Sequence, residues 1–206
     1  MYIPDHFAQD DRNLLIEVMR AESFALLTSI SDSGDPFVTH LPMIVKEHAD
    51  GLIIEGHMAR ANPHWKYLEK APRALIVFNG PHAYVSPSLY ESKENVPTWN
   101  YMAIHAYGAV KIIQAMPEKH AAQDRLIDAL EPAYQPQFER LNATYLHGRM
   151  NAIVAFEMNV ERLEGKFKLS QNRPLTDRQK VVQTLANGND QQRAIATWMA
   201  RVSLKA

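Results

Sequence analysis

The residues best suited to bind a ligand lie in the stretch GHMARANP, residues 56–63. This stretch leaves a predicted β-strand, passes through a short loop that holds Arg60, and enters a helix predicted to begin near Asn62. The first N–H groups of a helix lack intrahelical partners, and an arginine beside them offers two parallel donors. The stretch therefore predicts an anion site that suits a phosphate. The glycine-rich P-loop pattern that marks many phosphate sites is missing. The alternative is therefore an ordinary capped helix with a solvated arginine.

The run VTHLPM, residues 38–43, is a predicted strand that would neighbour this loop. Thr39 could add a hydroxyl donor to the anion site, and His40 would lie beside it. For both side chains the alternative is an ordinary surface position or a hydrogen-bonded polar group in the core.

A second stretch with unusual composition is HAYVSPSLYESKENVPTWNY, residues 82–101, which fits neither a regular helix nor a regular strand. It contains one of the three tryptophans of the chain and three of its eight tyrosines: Tyr84, Tyr90, Trp99 and Tyr101. Core filling explains this concentration poorly, whereas a flat ligand or a partner chain explains it well. A planar ring system that bears a phosphate would use both stretches, and FMN has that anatomy. The alternative is an aromatic loop at a subunit interface that touches no ligand.

The composition excludes several other classes of chemistry. The 206 residues carry 22 Lys and Arg against 23 Asp and Glu, a formal charge of -1, so no global positive field favours nucleic acid. The absence of cysteine removes disulfides, thiolate metal sites and a cysteine nucleophile. There is no apolar run of transmembrane length, and the acidic residues near the start do not fit a secretory signal. These features predict a cytoplasmic protein without a membrane partner, whose redox chemistry would require a cofactor.

Motifs for hydrolysis and metal binding are also missing. Nine histidines raise the question of a metal, but the HExxH pattern and a suitably placed carboxylate are absent, so we predict no metal site. The GxSxG pattern of a serine nucleophile is absent as well. The catalytic residues are therefore unknown, and His40 and His105 are the candidates for an acid or base.

The elements that must position these residues are mainly β-strands. FALLTSI and FVTHLPMIV are rich in β-forming residues, and the turn-forming SDSGDP between them predicts a hairpin. Further strands are predicted in GLIIEG, in RALIVFNGPHAYVS with a break or turn at Asn79-Gly80-Pro81, in WNYMAIHAYGAVKII and in NAIVAFEMNV. Helices are predicted at residues 11–21, 62–71, 118–134 and 136–146, and twice within 176–204.

Many strands joined by short turns, with helices added late, predict an antiparallel barrel or sandwich with helical additions. We predict one domain at residues 1–175, including a helical insertion at about 117–146. A helical C-terminal extension, residues 176–206, is expected to pack on the same domain. This extension resembles a helix-turn-helix around NGND. However, its cations Lys180, Arg193 and Arg201 are interspersed with the acidic Asp177 and Asp190.

Five segments together resemble a known family: PFVTHLP, GHMARANPHW, GPHAYVSPSLYESKENVPTWNY, HAYG and KLSQNR. In this order the chain resembles the PaiB family of FMN-binding negative transcriptional regulators, from residue 1 to about residue 175. The resemblance implies a mostly β fold with α additions, the FMN-binding split β-barrel related to the pyridoxamine-phosphate oxidases, with helical C-terminal additions. It also implies a homodimer that holds FMN at the subunit interface.

The resemblance further implies which residues contact FMN. Arg60 is expected to bind the phosphate, with Asn62 beside it. The strand that carries Thr39, His40 and Leu41 is expected to pass beside the isoalloxazine ring. The remaining contacts are expected from the central loop, at Lys93, Trp99 and Tyr101, and from KLSQNR, at Lys168, Gln171 and Arg173. The resemblance leaves open which of them the partner subunit supplies.

The family implies negative transcriptional regulation, which we expect to act indirectly through flavin, because direct DNA binding is doubtful for a chain without excess positive charge. The alternative is an FMN-dependent oxidoreductase, a flavin reductase or oxidase acting on an unknown small molecule. A flavin carrier or sensor without turnover is a third reading. An absorbance spectrum, followed by anaerobic mixing with NADH or NADPH, would separate these possibilities.

Overall fold

A computed structural model describes residues 1–49 and 51–204, in which β-strands carry most of the architecture. The strands are β1 (Ala8–Gln9), β2 (Phe24–Ile30), β3 (Pro36–Pro42), β4 (Ile44–His48), β5 (Gly51–Ala59), β6 (Arg73–Val85), β7 (Thr98–Ile113) and β8 (Ile153–Lys168). Short 3-10 turns at Asp5–Phe7, Pro87–Leu89 and Pro132–Tyr134 connect other elements.

The helices are concentrated after residue 115. They are α1 (Arg12–Ala21), α2 (His64–Lys70), α3 (Met116–Leu130), α4 (Gln135–Phe138), α5 (Ala143–Asn151), α6 (Leu175–Leu185) and α7 (Asp190–Trp198), and a short π-helical turn, Met199–Ser203, follows α7. Both the insertion between β7 and β8 and the C-terminal tail are helical, as the sequence predicts.

The strands form one sheet in the order β3-β2-β6-β7-β8-β5-β4, with β1 paired to β8. The pairings of β1 with β8, of β2 with β3 and β6, of β4 with β5, and of β5 with β8 are all antiparallel. The predicted antiparallel fold with helical additions is therefore confirmed.

Two local predictions differ from the structure. β6 runs without a break through Asn79, Gly80 and Pro81, where a turn was expected. The reason lies at Gly80, where an added Cβ would lie 2.9 Å from the Cβ of Met102, so the missing side chain permits close approach of β7. α2 begins at His64 rather than Asn62, although the Asn62 side chain still accepts a hydrogen bond from the His64 N–H at 3.0 Å.

The chain divides into two compact units. The first unit contains residues 1–15, 79–104 and 164–206, and the second contains residues 16–78 and 105–163. Each has its own buried apolar residues, which include Phe167, Leu169 and Ile195 in the first unit and Ile54, Phe78 and Phe156 in the second. The predicted boundary at residue 175 separates two consecutive segments of the chain, whereas each of these units combines segments that are distant in sequence. That boundary stays a prediction.

In the second unit, β2 and β3 form the predicted hairpin, closed by a turn in which Gly34 has a φ of 89°. Residues on one side of β2, such as Ala25 and Leu27, are fully buried. The opposite side of the hairpin exposes Phe24, Ile30 and Val38 by 66%, 54% and 44%. Large apolar side chains at this level of exposure form a surface patch that water solvates poorly.

The helical insertion is fixed to the sheet of the second unit by a buried carboxylate. Glu55 on β5 has a side chain only 3% exposed, and it accepts two hydrogen bonds from Arg125 of α3, at 2.7 and 2.9 Å. Lys46 of β4 donates a third at 2.6 Å. Burial would raise the pKa of Glu55, but the hydrogen bonds and charges of Arg125 and Lys46 outweigh it and lower the pKa.

Candidate functional site

Arg60 lies in the loop between β5 and α2, and its guanidinium is partly occupied by backbone carbonyls. Nε donates to the carbonyl of Asn151 at 2.7 Å, and one Nη donates to the carbonyl of Ile153 at 3.3 Å. The other Nη donates to the side chain of Gln114 at 3.3 Å. An arginine has five N–H groups, so two of them remain for an incoming anion after these contacts with described residues.

A buried lysine, like Arg60, donates to carbonyls at the end of α5. Lys119 of α3 is 1% exposed, and its ammonium donates to the carbonyl of Met150 at 2.5 Å. Burial and the nearby charge of Arg60 lower the pKa of Lys119. The accepting carbonyls lie at and just beyond the C-terminus of α5, where the helix dipole is negative. Both cations therefore stabilise the end of that helix.

Asn62 and Thr39 meet at a buried histidine that sequence reasoning did not assign to the site. The Asn62 amide donates to the Thr39 hydroxyl at 3.1 Å. The two nitrogens of His64 pair with Thr39 Oγ1 at 2.7 Å and with Ser29 Oγ at 2.9 Å. His64 has no exposed surface, and this burial lowers its pKa to about 4. A neutral imidazole therefore fixes the orientation of both predicted ligands.

The other residues of the VTHLP strand divide between its two faces. His40 is exposed on β3 and stacks on Phe24, with ring centroids 6.2 Å apart. Leu41 points to the buried side and is 9% exposed. Of the predicted ligands in the second unit, the structure joins Arg60, Asn62 and Thr39 around one loop and leaves His40 on an open face.

The predicted ligands of the first unit gather around the end of β8. The ammonium of Lys168 donates to the hydroxyl of Thr98 and to the carbonyl of Trp99. Arg173 donates to the Asn95 side chain at 2.6 Å, and its guanidinium lies 4.4 Å from the ring centroid of Tyr90. These are neutral acceptors, so the contacts leave the positive charge of both residues uncompensated.

A third cation completes this group. Lys166 is 8% exposed and donates to the carbonyl of Tyr2 at 3.0 Å, while its ammonium lies 5.3 Å from the ring centroid of Tyr101. Burial lowers the pKa of Lys168, and the positive charges of Lys166 and Arg173 lower it further. We call Lys166, Lys168 and Arg173 the cationic cluster. It is suited to attract an anion, since a negative charge would relieve its mutual repulsion.

The other predicted FMN ligands of the first unit differ in exposure and in contacts. Trp99 is 51% exposed and contacts the ring of Tyr84 at a centroid distance of 6.1 Å. Lys93 is exposed in the loop before β7. Gln171 bonds within its own turn, accepting from the Leu169 N–H at 2.7 Å, so it shapes the loop.

Asn100 is a second residue that sequence reasoning missed. It is fully buried on β7, donates to Ser170 Oγ at 2.9 Å and accepts from the same hydroxyl at 3.1 Å. Its amide also contacts the sulfur of Met199 at 3.3 Å. Ser170 has a φ of 64°, a conformation that costs a non-glycine residue energy. Asn100 therefore fixes the turn between Lys168 and Arg173. The sequence feature that could have identified Asn100 is a polar residue at an inward-facing position of a predicted strand.

Two features are absent from residues 1–49 and 51–204. Among these residues, no group of three or more His, Asp or Glu side chains is placed to hold a metal ion. No helix in these ranges is long and apolar enough to cross a membrane.

Comparison with known proteins places this geometry in a family. Residues 1–162 match the family described as "Putative FMN-binding domain". The chain is 35% identical to "Protease synthase and sporulation protein PAI 2" of Bacillus subtilis, over 91% of this chain and 90% of that protein. It is also 29% identical to an uncharacterised protein of Emericella nidulans, over 95% of each. The resemblance to the PaiB family is thus confirmed.

Solved structures support the fold. The flavocytochrome Anf3 of Azotobacter vinelandii superposes with a TM-score of 0.64 at 17% identity, covering 81% of this chain and 72% of that one. An FAD and heme binding protein of Mycobacterium smegmatis superposes with a TM-score of 0.62 at 15% identity, covering 78% and 73%. At these identities the likeness shows the fold, which is the split β-barrel.

The cofactor of the family is FMN, and the donor chemistry of the chain fits it. A phosphate needs several directed donors, and Arg60 retains two N–H groups in the loop that also carries Asn62, whose amide bonds to Thr39. Taken by itself, the first unit carries exposed aromatic rings and the cationic cluster, a combination that suits a flat ligand with polar groups at its edge.

Proposed function

Because the chain belongs to the FMN-binding domain family, we propose that it is a cytoplasmic, homodimeric FMN protein that controls transcription indirectly, without binding an operator itself. The regulatory role is suggested by the name of the similar B. subtilis protein, which contains the words "protease synthase and sporulation". The indirect route is suggested by the charges of this chain, and chiefly by those of the C-terminal helices.

Two of the three cations of α6 and α7 pair with carboxylates within the chain, and this observation carries the proposal. Lys180 pairs with Glu91 at 3.2 Å, and Arg193 pairs with Asp190 one turn away. Arg178 donates to the carbonyl of Ser203. A DNA-reading helix needs unpaired cations to bind phosphates, and its affinity depends on how many it neutralises. The two tail helices are better explained as supports for the first unit.

Selection from a random pool of DNA duplexes tests the indirect route. The FMN-loaded protein would be taken through several rounds of selection, and enriched duplexes would be titrated by fluorescence anisotropy at about 0.15 M salt. We expect weak binding without sequence preference, which salt removes. Nanomolar, sequence-selective binding at that salt concentration would overturn the indirect route and make the protein a direct repressor.

The homodimer is supported by the exposed apolar face of the second unit. Phe24, Ile30 and Val38 expose large side chains on one side of the β2–β3 hairpin. Apolar faces of this kind are typically covered by a second copy in oligomers, because isologous pairing buries the same patch twice. The predicted FMN ligand His40 lies on this face too, which fits a flavin at the subunit interface.

Light scattering of the FMN-loaded protein at micromolar concentration tests this part. We expect a mass of twice 23.4 kDa for the parent protein. The Ile30→Lys variant, which places a charge on the apolar face, is expected to shift the mass toward the monomer. A monomer mass for the parent protein would contradict the homodimer.

The alternative function, an FMN-dependent oxidoreductase, is favoured by the cationic cluster. When bound, FMN accepts and donates electrons, and positive charge near its ring stabilises the reduced, anionic form. Lys166, Lys168 and Arg173 supply that charge, while Asn100 and Gln171 hold the turn that carries Lys168 and Arg173. Stopped-flow absorbance after anaerobic mixing with NADH or NADPH tests this function. Bleaching of the flavin within seconds would support an oxidoreductase, and no bleaching over an hour would favour the regulator.

A further inference from the structure

The helical insertion of the second unit lines an open cavity that the proposed function does not use. β5 and β8 form its floor, and α3, α4 and α5 form its walls. Its volume is about 630 Å³, which lies within the usual range of pockets for small molecules, about 300–1,000 Å³. The residues proposed to bind FMN are absent from its lining.

The walls are mainly apolar, and several aromatic rings take part. Ile127, Phe138 and Met150 are buried and form the base of a small apolar cluster. Tyr134 and Leu146 pack against this cluster and also line the cavity. At the mouth, Leu130 is 53% exposed. The shape and lining therefore favour a compact apolar body with an aromatic ring, which these side chains can contact on several sides.

Two polar side chains reach this apolar space. His57 on β5 and Gln123 on α3 line the cavity, and within residues 1–49 and 51–204 neither side chain has a hydrogen-bond partner. Burial lowers the pKa of His57, so its imidazole is neutral near pH 7. A neutral imidazole and an amide can each donate and accept one hydrogen bond to a ligand.

The charges at the mouth do not favour an ion. Arg149 and Glu131 both lie there, are exposed, and have opposite signs. The Arg149 guanidinium also lies 4.9 Å from the ring centroid of Tyr145. An anionic ligand would meet one attraction and one repulsion, whereas an uncharged ligand avoids the cost of burying a charge.

We infer that this cavity is a binding site for an uncharged aromatic alcohol of the phenol class, distinct from the flavin site. The ring of the ligand contacts the Ile127, Phe138 and Leu146 side chains. Its hydroxyl exchanges hydrogen bonds with His57 and Gln123. The insertion thereby provides the protein with a second small-molecule site.

The test uses 2-naphthol as the probe, with naphthalene and 2-naphthoate as the apolar and anionic comparisons. Equilibrium dialysis is carried out on protein with and without FMN, so that loss of flavin binding and loss of cavity binding are measured separately. We expect one 2-naphthol per chain in both forms, and tighter binding of 2-naphthol than of 2-naphthoate.

Two variants locate the site. Leu146→Trp places a bulkier ring in the cavity at the predicted ligand contact and is expected to weaken 2-naphthol binding at least tenfold. His57→Leu removes both ring nitrogens and is expected to weaken 2-naphthol about tenfold while leaving naphthalene unchanged. Leu175→Trp is the matched control, because Leu175 is an exposed leucine of α6 outside the cavity. Retained FMN binding and circular dichroism identify variants that fold.

Several results would overturn the inference. It is wrong if 2-naphthol does not bind, if FMN displaces it stoichiometrically, or if folded Leu146→Trp protein binds it as well as the parent does. Equal or tighter binding of 2-naphthoate would refute the uncharged ligand. Unchanged 2-naphthol affinity in His57→Leu would refute the hydrogen-bonding role of the histidine.

Discussion

Around Arg60 the cations bind the end of a helix, whereas around Lys168 three cations lie together and none of them pairs with a carboxylate among the described residues. Arg60 and Lys119 donate to carbonyls at and beyond the C-terminus of α5, where the negative end of the helix dipole offsets their charge. Lys168 donates only to neutral groups, and Lys166 and Arg173 lower its pKa. The region around Arg60 is an ordered set of hydrogen-bond donors, and the region around Lys168 is a concentration of positive charge.

This difference suggests separate tasks for the two regions. A phosphate ligand requires donors of fixed direction, which Arg60, Asn62 and the His64 network supply. An extended ring that gains electrons benefits from positive charge of less exact direction, and we propose that the cationic cluster is suited to supply it. Substitutions near Arg60 should therefore disturb both FMN binding and folding, while substitutions in the cationic cluster should change affinity alone.

Arg60→Glu is expected to have the largest effect. It replaces an attraction for phosphate by a repulsion and should weaken FMN binding by several kcal/mol, on the order of a thousandfold. It also places a carboxylate beside the carbonyls of Asn151 and Ile153, so the protein should lose some stability. Arg60→Lys is the control, with an expected loss of about 1–2 kcal/mol. Flavin fluorescence titration and circular dichroism measure both, and parent-like FMN affinity in folded Arg60→Glu would refute the phosphate role.

The His64 network predicts a dependence of stability on acid. The pKa of His64 is about 4 in the folded protein and 6.5 as its ordinary value, so the unfolded chain binds more protons between these pH values. The contribution of His64 to the free energy of unfolding is fully present above about pH 6.5. It falls by about 3 kcal/mol as the pH drops to about 4. Urea unfolding at pH 7 and pH 4 measures this loss.

The His64→Gln variant separates this contribution from that of other acidic groups. It keeps polar atoms near Thr39 and Ser29 but cannot take up a proton. We expect its loss of stability between pH 7 and pH 4 to be smaller than that of the parent by about 3 kcal/mol. Identical losses in both proteins would show that His64 does not carry the effect.

Asn100→Asp tests how the loop of the cationic cluster is held. The change removes the amide donor to Ser170 and Met199 and buries a carboxylate, at a cost of about 2 kcal/mol of stability. FMN affinity should fall with it, because Lys168 and Arg173 flank the turn that Asn100 fixes. Asn13→Asp, at an exposed position of α1, is the control. Loss of stability with unchanged FMN affinity would limit Asn100 to a structural role.

Lys168→Met should have the smallest effect of the series. It removes one charge, keeps the side-chain stem and relieves repulsion within the cationic cluster. We expect FMN affinity to fall about tenfold, close to 1.4 kcal/mol, with stability unchanged or slightly raised. Lys70→Met, which removes an exposed lysine of α2, is the control. An unfolded Lys168→Met protein would contradict the contrast between the two regions.

Local sequence patterns predicted most of the fold. SDSGDP predicted the hairpin, and its turn has Gly34 at a positive φ. Asp11 caps α1 by accepting from the Asn13 and Leu14 N–H groups. The prediction was wrong at Asn79-Gly80-Pro81, because turn-forming residues also occur where two strands approach closely, and only the packing of Gly80 against Met102 distinguishes the cases.

The candidate site was less predictable because its contacts join distant parts of the chain. Arg60 binds carbonyls 91 and 93 residues away, and Asn100 bonds to a serine 70 residues away. No local pattern encodes such pairs. The sequence predicted that Arg60 lies in a short loop before a helix, which the structure bears out, although the helix begins at His64 rather than near Asn62. It did not predict that His64 orders them.

The most direct test of the phosphate role of Arg60 compares FMN with riboflavin, which has the same ring and no phosphate. Titrations would use the parent protein, Arg60→Met and Lys168→Met. The parent is expected to bind FMN at least about a hundredfold more tightly than riboflavin. In Arg60→Met the two affinities should converge, while Lys168→Met should keep the preference for FMN. If Arg60→Met folds and keeps the full preference of the parent, Arg60 does not bind the phosphate and the account is wrong.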